Sequence, residues 1–338
     1  MKPASPRPAE RTTADPMGQI PAGRDVRLLR RAIEPPVRPL VAAGDLAILF
    51  WLLAGLPLSF LPCRLRWGLC RALARPALLG NRAQGASLAI RRMVKVEDAA
   101  ARDIVRLVYA GRLASQLDLL RGLVAGPDLV YECRGLERLD AALAEGRGAV
   151  LWISDFVGAG DAVKVALARY GVSHLSRPEH GFSKTRFAIR FLNPIRIRFE
   201  RGYLKERLVY DRGSPKRVLG RLLACLAENG VVSITASAHE GRQLAEGGLL
   251  GGRLRLAIGG PKAALLSGAA LIPVHALRDR RDPRRFEIIL GPPLPLSRDL
   301  PATEAILAAT GAYLEGLEEL VSRRPEAWGG WRRLGALA

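Results

Sequence analysis

The sequence predicts an α/β fold: a mostly parallel sheet flanked by helices, preceded by an N-terminal hydrophobic helix. Two observations carry the sheet. From Val130 onward, short apolar runs alternate with helical stretches. One of these runs, Ala149–Ile153, is apolar throughout, the pattern of a strand covered on both faces. A third observation carries the helix: residues 46–62 (LAILFWLLAGLPLSFLP) contain no charge.

Residues 1–45 are rich in Pro, Arg and small side chains and are expected to be a disordered tail. The pattern of a cleavable signal is missing, because the first apolar stretch begins too late. At 17 residues, 46–62 falls short of the roughly 20 that span a bilayer. Pro57 and Pro62 oppose a straight span. Arg64, Arg66 and Arg71 follow, and Trp51 and Trp67 stand near the ends. These features favour a helix embedded in, or lying along, one leaflet over a buried core helix. Residues 46–126 are therefore read as a helical membrane-associated region. Within it Pro76 breaks one helix, and 99–124 repeats apolar residues at Ile104, Val105, Val108, Leu113, Leu117 and Leu120.

Residues 127–334 form the α/β part. Strands are expected at 130–133, 149–153, 172–175, 195–199, 231–235, 271–275 and 286–290. Helices are expected at 136–144, 162–169, 183–192, 215–228, 261–267 and 303–322. Asn193-Pro194 is read as the end of a helix, and 241–252 as a glycine-rich loop.

The formal charge is +20, from 52 Lys and Arg against 32 Asp and Glu, which favours anionic partners or marks a generally basic surface. The four cysteines, Cys63, Cys70, Cys133 and Cys225, form no CxxC; they suit neither a disulfide framework nor a zinc site. No metal or cofactor is expected.

The segment 146–161 (GRGAVLWISDFVGAGD) is the candidate site. A buried strand ends at Ser154 and Asp155, a turn follows at Gly158 and Gly160, and a helical pattern starts at Asp161. Parallel sheets place their chemistry at such strand-to-helix turns. The backbone amides around Gly158 and Gly160 would bind an anion or oxyanion, or the glycines merely let the turn pass. Ser154 lacks the GxSxG context of a nucleophile, and 247–252 lacks the lysine and hydroxyl of a phosphate loop.

Several stretches resemble the lipid A late acyltransferase (lysophospholipid acyltransferase-like) family, in order from about Leu46 to Leu334. They are YECRGLERLDAALAEGRGAVL from Tyr131, LLACLAENGVVSI from Leu222, AALLSGAALIPVHALR from Ala263 and RRPEAWGGWRRL from Arg323. The resemblance implies an α/β sandwich anchored at the cytoplasmic face of the inner membrane. It also implies transfer of an acyl group from a thioester, on acyl carrier protein or CoA, to a hydroxyl of a lipid acceptor. The family's signature is His, four residues, then Asp or Glu. Here Asp155 stands at the position of the His, and Gly160 at that of the acid, with Asp161 one step beyond.

Three readings follow. Catalysis persists with Asp155 as base, made basic by burial and the nearby Asp161. Otherwise an imidazole arrives from another loop: His180, which at first sight is a solvent-exposed loop residue, or His239. Arg177 and Arg201 would then contact anionic groups, with Ser154 and Gly158 at the substrate. In the second reading the chain is a silent homologue that holds lipid or acyl chains. In the third, the basic and aromatic run 184–221 binds nucleic acid, although no recognised motif supports this and no nucleic-acid partner is expected.

Overall fold

The computed structural model describes residues 25–30, 38–126, 128–210, 215–237 and 242–334. Chain order begins with β1 (Val26–Arg30), α1 (Ala43–Leu58), α2 (Cys63–Leu73), α3 (Asn81–Val94) and α4 (Asp98–Ala125). There follow β2 (Val130–Arg134), α5 (Leu136–Ala144), β3 (Ala149–Ile153), α6 (Ala159–Ala166) and β4 (Ser173–Ser176). A π-helical turn, Ala188–Leu192, runs into α7 (Asn193–Arg201), then β5 (Glu206–Val209), α8 (Pro215–Ala227) and β6 (Val231–Thr235). The chain closes with β7 (Gln243–Leu249), β8 (Gly252–Ala257), α9 (Gly259–Ser267), β9 (Ala270–Arg278), β10 (Arg285–Leu290), α10 (Ala302–Arg323) and α11 (Trp331–Leu334).

The expected sheet is present. Seven strands run in the order β2-β10-β9-β3-β6-β4-β5, parallel except where β10 meets β9. All five residues of β3 are fully buried, because helices cover both faces. Helix α6 packs against β2, β3, β9 and β10, α9 against β3, β6 and β9, and α8 against β5 and β6.

A second, three-stranded antiparallel sheet, β1-β7-β8, corrects two expectations. The stretch 241–252 is not a loop: most of it is β7. A two-residue turn at Leu250 and Gly251, with φ of 51° and 76°, leads into β8. Positive φ at both central positions matches the right-handed twist of the hairpin; Gly251 adopts it freely, whereas Leu250 holds an uncommon conformation for a side-chain-bearing residue. Within 1–45, expected as a disordered tail, residues 26–30 form β1 and residues 43–45 open α1, while residues 1–24 and 31–37 lie outside the described residues. The register sets Arg27 and Arg255 on either side of Glu246. Arg27 Nη2 reaches Oε1 at 2.6 Å and Arg255 Nε reaches Oε2 at 2.7 Å.

The expected strand at 195–199 is helix α7. Isoleucine-arginine alternation suggested a period of two, but Pro194 sits in the first turn of a helix, where its missing N–H costs nothing.

Helix α4, 28 residues long, is the brace of the N-terminal region and contacts α1, α2, α3 and α7. Gly55 of α1 lets the two backbones approach: a Cβ there would stand 3.0 Å from Leu120 and 3.1 Å from Leu117. The opposite face of α1 presents Leu46, Phe50, Leu53 and Leu56 to solvent, with Phe60 just beyond it. Among the described residues no helix is long and apolar enough to cross a membrane. Arg66 does not flank the apolar stretch as a surface cation. It is buried, donates to Ser59 O at 2.7 Å and pairs with Asp128 at 3.0 Å.

Candidate active site

Strand β3 delivers Ser154 and Asp155 to its C-terminal edge as expected, and the C-terminal segment closes over them. Phe156 forms an isolated β-bridge with Trp328. Val157 N donates to Ala327 O at 2.8 Å, and Gly329 N donates to Asp155 O at 2.8 Å. Arg112 Nη2 donates to Gly329 O at 2.9 Å, and Arg333 Nη2 holds Asp155 Oδ2 at 2.8 Å. The Asp155 side chain, 40% exposed, thus spends one oxygen on a guanidinium.

Ser154 is buried. Its Oγ lies 2.7 Å from His275 Nδ1 and 3.1 Å from Val274 O. His275 is also closed to solvent, and burial pulls its pKa down to about 4. Tyr313 and Phe156 flank its ring. The two residues form a packed polar pair inside the sheet edge.

Gly158 has φ of 82°. A Cβ there would stand 2.8 Å from Ser115 Oγ and 3.1 Å from Phe286, so both conformation and space require glycine. From this turn α6 starts and presents Asp161 in its first turn.

Asp161 does not join Asp155. Arg196 of α7 grips both its oxygens, at 2.7 and 2.8 Å, and Tyr203 Oη donates at 3.1 Å. Burial opposes its ionisation, but Arg196 and Lys164 prevail and hold the carboxyl below its usual range.

Arg196 also reaches the second half of the cluster. His180, in the loop after β4, places Nε2 2.6 Å from Glu200 Oε1 and 3.3 Å from Arg196 Nε. The loop position is not the exposed one that the sequence suggested: the His180 side chain keeps only 18% exposure. Glu200, fully buried, also has Lys164 Nζ at 3.3 Å from Oε1 and Arg207 Nε at 3.4 Å from Oε2. Burial works against its charge, yet the His180 hydrogen bond and Lys164 outweigh it and keep the carboxyl far below the ordinary range. Burial lowers the His180 pKa even against the pull of Glu200.

An ionised carboxylate only accepts, so the shorter, 2.6 Å contact assigns the neutral ring's proton to Nε2, and Arg196 Nε at 3.3 Å then stands beside that nitrogen without donating to it. His180 Nδ1 then carries the lone pair. It has no hydrogen-bond partner among the described residues. A neutral imidazole oriented by a carboxylate is the arrangement of a general base. His174 lies beside it, ring centres 6.3 Å apart, and bonds Ser233 Oγ at 2.9 Å. Burial sets its pKa well below the usual value.

A cleft of about 30 Å³ opens beside Asp161, between α4, β2, α6 and α7, with Asp118, Tyr131, Phe199 and Arg278 in its wall. Arg177 is half-buried, and its carbonyl accepts from His180 N at 3.2 Å. Arg201 is exposed on the last turn of α7. His239 lies outside the described residues. The basic run 184–221 is not one open stripe: Arg196, Arg207 and Arg221 turn to Asp161, Glu200 and Glu206. No group of three or more His, Cys, Asp or Glu among the described residues is placed to hold a metal ion.

Sequence reasoning singled out Asp161 and His180 but missed Lys164, Arg196, Glu200, Tyr203 and Arg207, which join them. One signal was available. Arg196 and Glu200 stand four apart, one helical turn, and the pair is invisible when 195–199 is read as a strand. No family model and no curated protein matches this chain.

Proposed function

We propose that this chain is an acyltransferase that works at a membrane surface, with His180 rather than Asp155 as its base. It moves an acyl group from a thioester, on a carrier protein or CoA, to a hydroxyl of a lipid acceptor. The observation that carries this reading is the His180–Glu200 contact at the C-terminal edge of a parallel sheet, with the imidazole neutral and its second nitrogen without a partner among the described residues.

The residues act as follows. His180 Nδ1 takes the proton of the acceptor hydroxyl, and Glu200 steadies the imidazolium that forms. The oxygen attacks the thioester carbonyl, and an ester C–O bond replaces the C–S bond. The leaving thiolate takes the proton back from Nδ1, so the enzyme returns unchanged. Arg196 and Lys164 balance the charge of Glu200 and Asp161 throughout. Arg177, three residues before His180, and Arg201, next to Glu200, suit the anionic groups of donor or acceptor.

Membrane attachment draws on the outer face of α1. Leu46, Phe50, Leu53 and Phe60 offer an apolar surface, and the exposed Arg64, Arg71 and Arg75 suit anionic headgroups. The inner-membrane, cytoplasmic-face location belongs to the same proposal.

A second reading, a silent homologue that holds lipid without turning it over, draws on the size of the cleft. About 30 Å³ admits little more than one water, so an acyl chain requires the walls to part. One experiment separates the two. Purified protein is incubated with a radiolabelled acyl thioester and a total lipid extract in anionic vesicles. Label appearing in lipid supports transfer. Label that stays on the thioester while lipid co-purifies supports the silent reading.

A further inference from the structure

A groove far from this cluster has the build of a ligand site. One wall is a single face of α3, with Ala83, Gln84, Ser87, Leu88 and Arg91 at helical spacing. Leu78 and Leu79, from the 3-10 turn Pro76–Leu79, form the second wall, and Asp98 and Arg102 at the start of α4 close the end. Asp98 stands twenty residues before Asp118, which lines the small cleft, so about 30 Å of helix separates the two places.

Three features define the ligand. The groove, open to solvent along Leu79 and Leu88, holds about 450 Å³, within the range of small-molecule sites and enough for one chain rather than two. Its walls are leucine and alanine with no aromatic ring, which suits a flexible aliphatic chain. At the polar end, Arg91 and Arg102 share a single carboxylate, Asp98, at 3.5 and 2.8 Å, which leaves one positive charge in excess. Ser87, 7% exposed, also stands in the wall, its Oγ sealed from solvent and without a hydrogen-bond partner among the described residues. Buried hydroxyls are rarely left so.

We infer that this groove binds a single-chain anionic amphiphile, its aliphatic chain along Leu78, Leu79 and Leu88 and its head on Arg91 and Arg102. The site is distinct from the His180 cluster and does not depend on catalysis there.

The test uses the full chain and dansyl-undecanoate below its aggregation concentration, without vesicles, followed by fluorescence. Saturable binding is expected, displaced by dodecanoate. Dodecanol, which lacks the charge, should compete about tenfold or more weakly, because it forgoes the charge-assisted bonds to the arginines. The Arg91→Glu, Arg102→Glu double variant should weaken binding by a similar factor. Gln84→Trp, an exposed position on the groove wall, should block it by bulk, which keeps a test available if the charge reversal disturbs folding. Lysophosphatidate run against dodecanoate tells a lysolipid head from a free carboxylate. Equal competition by dodecanol and dodecanoate, or binding unchanged in both variants, overturns the inference. So does binding that survives in both but is lost in Phe50→Glu, which would place the probe on α1.

Discussion

Arg333 Nη2 meets Asp155 Oδ2 at 2.8 Å across 178 residues of chain, and Gly329 N donates to the Asp155 carbonyl at the same distance. Asp155 is thus tied to the C-terminal segment by both backbone and side chain. That predicts a structural rather than a catalytic role. Asp155→Asn should lower stability by about 1 kcal/mol, the scale of a partly exposed ion pair, and leave acyl transfer within a few-fold of wild type. Thermal unfolding and the transfer assay measure the two effects. Loss of transfer with an unchanged melting temperature would return the base to Asp155.

Glu200 faces the buried Lys164 at 3.3 Å, and neither side chain can turn to water. Glu200→Gln should therefore cost about 3–5 kcal/mol, the usual penalty for stranding one partner of a buried pair. Replacing Lys164 by Met in the same chain should recover part of that loss. Denaturant unfolding of the two single variants and the double variant gives the coupling directly. Additive losses would show that the two charges do not sense each other.

Stability should fall on the acid side from about pH 6.5. His174, His180 and His275 are all held below the ordinary histidine pKa, His275 at about 4. A base with a depressed folded pKa binds protons more readily when unfolded. Its neutral form costs nothing above about pH 6.5, and stability drains away as pH falls toward the folded value. Below about pH 4.5 the paired carboxylates Asp161 and Glu200 add to the loss, because their folded pKa values are also lowered. A tenfold difference in proton affinity between the folded and unfolded chains corresponds to about 1.4 kcal/mol. Urea midpoints between about pH 8 and pH 4 check this. His275→Phe should flatten the upper part of the curve, and a midpoint constant down to about pH 5 would contradict the buried, neutral state of these rings.

Gly158→Ala should destabilise by about 1–3 kcal/mol through backbone strain, and by more from the approach of Ser115 and Phe286. Ser115→Gly should relieve part of the crowding but none of the strain. Calorimetry on both backgrounds measures the difference, and a Gly158→Ala protein as stable as wild type would show that the turn can rearrange.

The sheet was legible because its strands are apolar enough to declare themselves. Ala149–Ile153 and Val231–Thr235 were expected at the residues where they occur, and Leu136–Ala144 likewise among the helices. Errors arose where a local pattern has two physical readings. Asn193-Pro194 both ends and begins helices, and here it begins one. Glycines in 241–252 look like loop, but two of them lie in strand β7 and another starts β8. The cluster itself was half visible. His180 stands out in the sequence for its position after a strand, and Asp161 for its place at a helix start. What ties them is Arg196, which grips Asp161 35 residues away and lies beside His180 16 residues away, and no local pattern encodes that juxtaposition.

The most direct measurement is the pH profile of acyl transfer in wild type and in His180→Gln. A neutral, Glu200-oriented imidazole predicts wild-type activity that holds above about pH 6.5 and declines below it as His180 takes a proton. His180→Gln should lose about 10²–10⁴-fold, the contribution of a positioned general base, while remaining folded. Transfer in His180→Gln at the wild-type rate, or an acid limb that persists there unchanged, would contradict the assignment.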